Sequence, residues 1–301
     1  MKLDTNTVII GAGVAGMTAA IYLKRSNIDV IILEKSAPGG QITRTSTIDN
    51  YPGFISIDGP DLAMNMFNQV SALGVEYRYG NVQGITDYND YKVIKTDTEE
   101  IKCKNIIVAT GRRPRELGLE KEQQLIGKGI SWCAICDGPL YKGKNVAVIG
   151  GGNSAVEEAQ YLAGICKKVY LINRSNVLRA DVSEQEKLSK YDNIEIMYNS
   201  SVSKINEENN RLSNITINSD NGLTILPIDG MFTYIGNEPN TEFLKSLPIK
   251  LEDDYVVVDQ RMQTNIKGIY ACGDVLKKDV YQISTALGEA TIAALSIKKD
   301  N

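Results

Sequence analysis

Val8-Ile9-Ile10-Gly11-Ala12-Gly13-Val14-Ala15-Gly16 decides the fold. A β-branched run of this kind reads as a buried parallel strand. Met17 to Arg25 has helical composition, and Val30-Ile31-Ile32-Leu33 reads as a second strand ending at Glu34. Together they form a βαβ unit with a dinucleotide-binding fingerprint at its first turn. Gly11 permits the tight turn, Gly13 lets a pyrophosphate approach the backbone, and Gly16 allows close helix–strand packing. The helix start offers free N–H groups to phosphate. Glu34, about twenty residues on, is placed to hydrogen-bond a ribose hydroxyl.

The pattern returns in the second half. Val146-Ala147-Val148-Ile149 leads into Gly150-Gly151-Gly152-Asn153-Ser154-Ala155, then a helix through Ala163 and a strand from Lys168 to Ile172. Ala155 stands where the third glycine would be, which the fingerprint tolerates. The place corresponding to Glu34 holds Asn173, with Arg174 beside it and Arg179 further on. An acid there favours an unphosphorylated ribose, whereas basic groups suit a 2′-phosphate, so the second unit points toward NADPH rather than NADH. Its candidate contacts are Gly150, Gly152, Asn153, Ser154, Arg174 and Arg179. The alternative for the two arginines is an ordinary solvated face.

Between the two turns lies Trp132-Cys133-Ala134-Ile135-Cys136-Asp137. In such a pair one thiolate can attack a disulfide while its neighbour resolves the mixed species. Asp137 can carry the proton that thiol chemistry gains or loses. Half of a zinc site is the competing reading. Zinc wants four ligands, and the chain has no histidine and no second Cys-x-x-Cys, so no metal site is expected. Cys103, Cys166 and Cys272 lie in or beside apolar runs and read as buried small hydrophobes.

With 301 residues the chain is long enough for two domains. A net charge of −4 gives no basic surface for nucleic acid. No apolar run approaches the roughly 18 residues needed to cross a bilayer. Few, scattered cysteines and no secretory pattern in the opening residues suit a reducing cytoplasm. Val75 to Ile85 and Tyr91 to Thr96 alternate like exposed-face strands and hairpins. Asn105 to Gly111 and Asp229 to Tyr234 each read as a strand closing a domain. Gly268 to Asp274, followed by an Ala-rich helix from Thr285 to Ile297, returns to the style of the first unit. The expected fold is therefore α/β, with two Rossmann-like three-layer nucleotide-binding domains, the second inserted into the first. The first would comprise residues 1–114 and 244–301, the second residues 115–243.

The order of Gly11 to Gly16, Glu34, Gly39-Gly40-Gln41, Asn50-Tyr51-Pro52-Gly53, Ala109-Thr110-Gly111, Cys133 to Asp137, Gly150 to Ala155 and Gly273-Asp274 resembles the bacterial low-molecular-weight thioredoxin reductases over almost the whole chain. The resemblance implies a homodimer that binds FAD non-covalently in the first domain and carries the redox dithiol in the second. It implies that Gly11, Gly13, Gly16, Glu34, Gly40, Gln41, Asn50, Gly273, Asp274 and Gln282 hold FAD. It also implies that Cys133 attacks thioredoxin, that Cys136 is the flavin-proximal sulfur, and that Asp137 is the acid/base.

Two departures from that family stand out. The family's phosphate-reading stretch is His-Arg-Arg with a further Arg, where this chain has Asn173, Arg174, Ser175 and Arg179. Near the C-terminus the family has Arg-Gln, where this chain has Tyr281-Gln282. A subgroup with degraded NADPH motifs takes its electrons from ferredoxin, so ferredoxin is the alternative donor. A non-catalytic FAD-binding redox sensor is the alternative from another class, disfavoured by the acid beside the dithiol.

Overall fold

The glycine turn sits between two buried strands, as the sequence pattern requires. In a computed structural model, which describes residues 2–45 and 48–300, β1 (Thr5–Ile10) leads through the turn to α1 (Val14–Arg25) and β2 (Val30–Glu34). β1 and β2 pair in parallel, Val8 opposite Ile31 and Ile10 opposite Leu33. After α2 (Gly59–Ala72) come β3 (Glu76–Tyr79), β4 (Val82–Asp87), β5 (Lys92–Thr96) and β6 (Glu100–Val108). The order across the sheet is β3-β2-β1-β6-β5-β4. The stretch from Val75 to Ile85 is therefore not one hairpin arm. It divides at Gly80, whose N–H bonds the Glu34 carbonyl at 2.9 Å, and β3 joins β2 in parallel while β4 turns back against β5.

The chain leaves this unit through β7 (Arg112–Pro114). The second unit opens with β8 (Ile130–Ser131) and the four-residue α3 (Ala134–Asp137). It continues with β9 (Asn145–Ile149), α4 (Asn153–Ala163), β10 (Lys168–Ile172), α5 (Val182–Leu188) and β11 (Ile194–Met197). An antiparallel sheet of β12 (Ser201–Glu208), β13 (Arg211–Ser219) and β14 (Gly222–Pro227) precedes β15 (Gly230–Thr233). The parallel sheet runs β11-β10-β9-β15-β8. One of its faces buries Val146, Val148, Leu171 and Phe232 with residues of α4 and α5. The other buries Ala147, Ile149, Ile172 and Met231 against Ile205, Ile215 and Ile217 of the antiparallel sheet. Alternate residues of one strand thus serve two cores, as a doubly covered sheet demands.

The return is β16 (Asn237–Pro239), which pairs with β7. Then come the hairpin β17 (Leu251–Glu252) and β18 (Tyr255–Val256), β19 (Ile269–Ala271) beside β6, and α6 (Ile283–Asp300), which packs along α1. In the first unit Ile9, Ile32, Ile107 and Tyr270 face the helices, and Val8, Ile10, Ile31 and Val108 face the opposite layer.

The compact units are Met1–Arg113 with Glu238–Asn301, and Pro114–Asn237. The outward crossover falls one residue before the expected 114/115 division. The return comes at Glu238, well before residue 244. The early return has a local cause. The Asn240 side chain donates to the Thr110 carbonyl at 2.8 Å, the Thr110 hydroxyl donates to the Asn240 carbonyl at 2.8 Å, and Arg113 holds Glu238, Asn240 and Glu242. Residues 238–243 are tied to the first unit by these bonds.

Candidate functional site: a nucleotide cleft and a disulfide on a short helix

In the first unit, Gly11, Gly13, Glu34, Gly40, Gln41, Asn50, Gly273, Asp274 and Gln282 all line one cleft of about 980 Å³. A second lobe of about 360 Å³ adjoins it at Gly11 and Glu34 and is lined by Asn81, Val82 and Phe243. Gly16 lies beneath the turn rather than in the cleft, because a Cβ there would stand 1.8 Å from the Gly11 carbonyl oxygen. Gly11 has φ +106°, and a Cβ on it would meet the Ala109 carbonyl oxygen at 2.4 Å. A Cβ on Gly13 would meet nothing within 4 Å, so that backbone faces open space. No side chain caps α1, and the N–H groups of its first turn remain available to an anion.

Glu34 is held rigidly. One carboxylate oxygen accepts the Ala12 N–H at 2.8 Å, and the other accepts the N–H groups of Lys35 and Ser36 at 2.9 Å. Asn50 donates to Gln282 at 3.2 Å, and Gln41 donates to the Arg112 carbonyl. The N–H of Gly273 donates to Glu289 at 2.8 Å, and Glu289 also holds Lys278. Sequence reasoning missed this support from α6. It also missed Arg112, whose guanidinium stacks 3.9 Å over the Tyr281 ring with Nε 3.4 Å from Asp274. The cation absent from position 281 is thus replaced by one from β7, packed on the tyrosine that took its place. A buried Arg112 Nε without a hydrogen-bond partner among the described residues, a glycine cradle and an anchored acid fit a dinucleotide with an anionic linker.

In the second unit, Cys133 and Cys136 form a disulfide, their Cα atoms 5.3 Å apart. Cys133 is the N-cap of α3, and its sulfur accepts the Cys136 N–H at 3.2 Å. The Ser131 hydroxyl accepts the Cys133 N–H at 3.0 Å, and the Tyr234 hydroxyl accepts the Ala134 N–H at 2.9 Å. Both cysteines are half-buried, and Ile135 between them is 44% exposed. By contrast, Cys103, Cys166 and Cys272 are buried. Burial pushes the Cys103 thiol up to about 12 and the Cys166 thiol up to about 11. Only the pair is accessible for thiol chemistry.

At the second glycine turn, Gly152 faces open space as Gly13 does, and Ser154, Arg174 and Arg179 are exposed. Among the described residues neither arginine forms an ion pair. Gly150, with φ +145°, packs on the Tyr234 carbonyl. The Asn153 side chain donates to Asp181 at 2.8 Å and accepts its N–H at 2.7 Å, which fixes its orientation at the turn. Asn173 is buried and organises the loop, donating to the carbonyls of Ser175 at 3.0 Å and Val177 at 2.8 Å. That fold-back presents Arg174 and Arg179 outward.

The sequence pattern described as pyridine nucleotide-disulphide oxidoreductase matches residues 5–290. A thioredoxin reductase of Bacillus subtilis is 40% identical over 295 residues, 97% of this chain and 93% of that protein. The solved thioredoxin reductase of Lactococcus lactis, in its FR conformation, is 40% identical, covers 98% of each chain and superposes with a TM-score of 0.86. A more distant solved structure, a ferredoxin-flavin thioredoxin reductase of Clostridium acetobutylicum, is 29% identical, covers 98% of this chain and 97% of that one, and has a TM-score of 0.55. The chain belongs to the pyridine nucleotide-disulphide oxidoreductase family, in its branch of low-molecular-weight bacterial thioredoxin reductases.

Proposed function

We propose that the protein reduces the disulfide of thioredoxin through Cys133 and Cys136, with FAD in the cleft of the first unit and NADPH as donor. The observation that carries this reading is the accessible disulfide on a short helix, with an acid as the next residue. FAD, when bound, supplies two-electron chemistry between the donor and that disulfide.

The chain's own groups do the rest. In the reduced dithiol the Cys136 N–H aimed at the Cys133 sulfur favours the thiolate there. That thiolate attacks the partner disulfide, forming a mixed disulfide and releasing one partner thiolate, which takes up a proton. Cys136 then gives its proton to Asp137, attacks the Cys133 sulfur and releases the second partner thiolate, which takes that proton from Asp137. Two electrons and two protons pass to thioredoxin, and the Cys133–Cys136 bond re-forms. In the first unit Glu34 orients a ribose, the α1 start and Gly13 take the pyrophosphate, and Gln41, Asn50, Asp274 and Gln282 line the remaining cleft.

The exposed Arg174 and Arg179, with Gly152 open beside them, support NADPH over NADH. Reduced ferredoxin is the second reading, favoured by the missing phosphate-reading residues. A homodimer working in the cytoplasm accords with the family and with the scattered free cysteines.

The test compares wild type with Cys136→Ser under anaerobic conditions, offering NADPH, NADH or reduced ferredoxin. Flavin absorbance and new thiols on thioredoxin are followed together. NADPH should bleach both proteins, and only wild type should yield thiols. Bleaching by ferredoxin alone would replace the donor, and thiol production by Cys136→Ser would remove the dithiol from the reaction.

A further inference from the structure

Two hydroxyls touch the dithiol turn and have no part in the reaction as written. β8 and β15 are neighbouring parallel strands, with Ser131 opposite Phe232, and each sends one hydroxyl to the turn. From β8, the Ser131 hydroxyl accepts the Cys133 N–H at 3.0 Å and donates to the Cys133 carbonyl at 3.4 Å, bracketing that residue's backbone. From just past β15, the Tyr234 hydroxyl accepts the Ala134 N–H at 2.9 Å. Ala134 is fully buried, so its amide has no water to replace the phenol oxygen. Tyr234 is itself fixed, its N–H donating to the Ile149 carbonyl at 2.7 Å and its own carbonyl packed on Gly150. Both hydroxyls therefore stand on the parallel sheet. With four residues, α3 is too short to hold its own first turn, because helix nucleation is unfavourable.

We propose that Ser131 and Tyr234 are positioning residues for the dithiol, fixing the turn so that the Cys136 N–H stays on the Cys133 sulfur, 3.2 Å away. This rests on the reading of Cys133 and Cys136 as the reacting pair. A hydrogen bond to the charged form favours that form, so an N–H held on this sulfur lowers the pH at which Cys133 becomes a thiolate. Loss of either hydroxyl loosens the turn, weakens that bond and leaves less thiolate. Neither hydroxyl gives up or takes a proton in the reaction. The two electrons and two protons leaving the dithiol go to the partner disulfide.

The experiment uses the full-length flavoprotein with its dithiol reduced by a phosphine. The rate of iodoacetamide labelling at Cys133 is read by fragment mass from about pH 5 to about pH 10. Cys103, Cys166 and Cys272 are buried and do not compete. Asp137 on α3, Tyr141 in the segment after it, and Glu157, Glu158 and Tyr161 on the adjoining α4 can also titrate. They are present in every variant, so a difference between profiles reports the lost hydroxyl. Tyr234→Phe and Ser131→Ala should each reach half-maximal labelling about half a pH unit higher, roughly threefold less thiolate at fixed pH. Ser131→Thr keeps the hydroxyl and should label as wild type does. A profile of Tyr234→Phe or Ser131→Ala that superimposes on wild type, or moves to lower pH, would overturn the proposal. That holds even if the variants unfold at lower urea, because a merely structural role moves stability and not the profile. A Ser131→Thr profile displaced as far as that of Ser131→Ala would overturn it too. Labelling needs no turnover, so a wild type that reduces no thioredoxin would defeat the functional reading alone, and the profiles would still decide the role of the two hydroxyls.

Discussion

On α4, Glu158 has one carboxylate oxygen buried and without a hydrogen-bond partner among the described residues. Burial first, and then Glu157, pushes this carboxyl up to about 7, which makes the stability of the protein depend on pH. Its folded value, about 7, lies above the ordinary 4.5, so the folded state keeps a proton that the unfolded chain releases. The contribution is fully present below about 4.5 and is lost as pH rises through 7. Taken at face value, the difference corresponds to about 3 kcal/mol. The residue is only partly buried, and solvent screening reduces this to about 1–2 kcal/mol. Glu158→Gln removes the titration, so urea midpoints of variant and wild type should converge in mild acid. They should diverge above neutrality with the variant more stable. A constant offset across that range would mean that the carboxyl titrates alike in both states.

At the scale of the element, the two glycine turns show what the sequence made legible. The first turn was readable because each glycine answers a distinct steric demand, and those demands appear as separate contacts. A Cβ at Gly16 collides with the Gly11 carbonyl at 1.8 Å, while one at Gly13 finds open space. Gly16→Ala should therefore force α1 off β1 and cost about 2–4 kcal/mol in chemical unfolding. Gly13→Ala should leave stability near wild type and reduce FAD retained on gel filtration, because it obstructs only the ligand's approach. Equal effects of the two on stability would contradict this division of roles. In the second turn Ala155 takes the third position, its Cβ 3.0 Å from where one on Gly150 would be, so the alanine is accommodated. What escaped the sequence depends on partners distant along the chain. Arg112 over Tyr281, Glu289 under Gly273 and the Arg113 bonds to β16 all join segments with no shared local pattern. Asn173 was read as an absent acid, but its amide donates to two carbonyls that a carboxylate could not satisfy.

Over the whole molecule, each unit has its own doubly covered sheet and its own glycine turn, so two ligands should leave two separate footprints. A ligand that binds only the folded state stabilises what it touches by about 2.7 kcal/mol at a hundred times its Kd. Amide hydrogen exchange reads this locally. Adding FAD to flavin-free protein should slow exchange at residues 11–16, 34–45 and 273–283, and leave residues 150–180 unchanged. Adding NADPH to the flavoprotein should slow exchange at residues 150–156 and 173–180, where the open Gly152 backbone and the outward arginines lie. Protection by NADH of equal size would remove Arg174 and Arg179 from phosphate recognition, because the two nucleotides differ only in the 2′-phosphate. No protection by either nucleotide, with the FAD footprint intact, would mean that the second glycine turn serves helix–strand packing alone, and would favour ferredoxin as the donor.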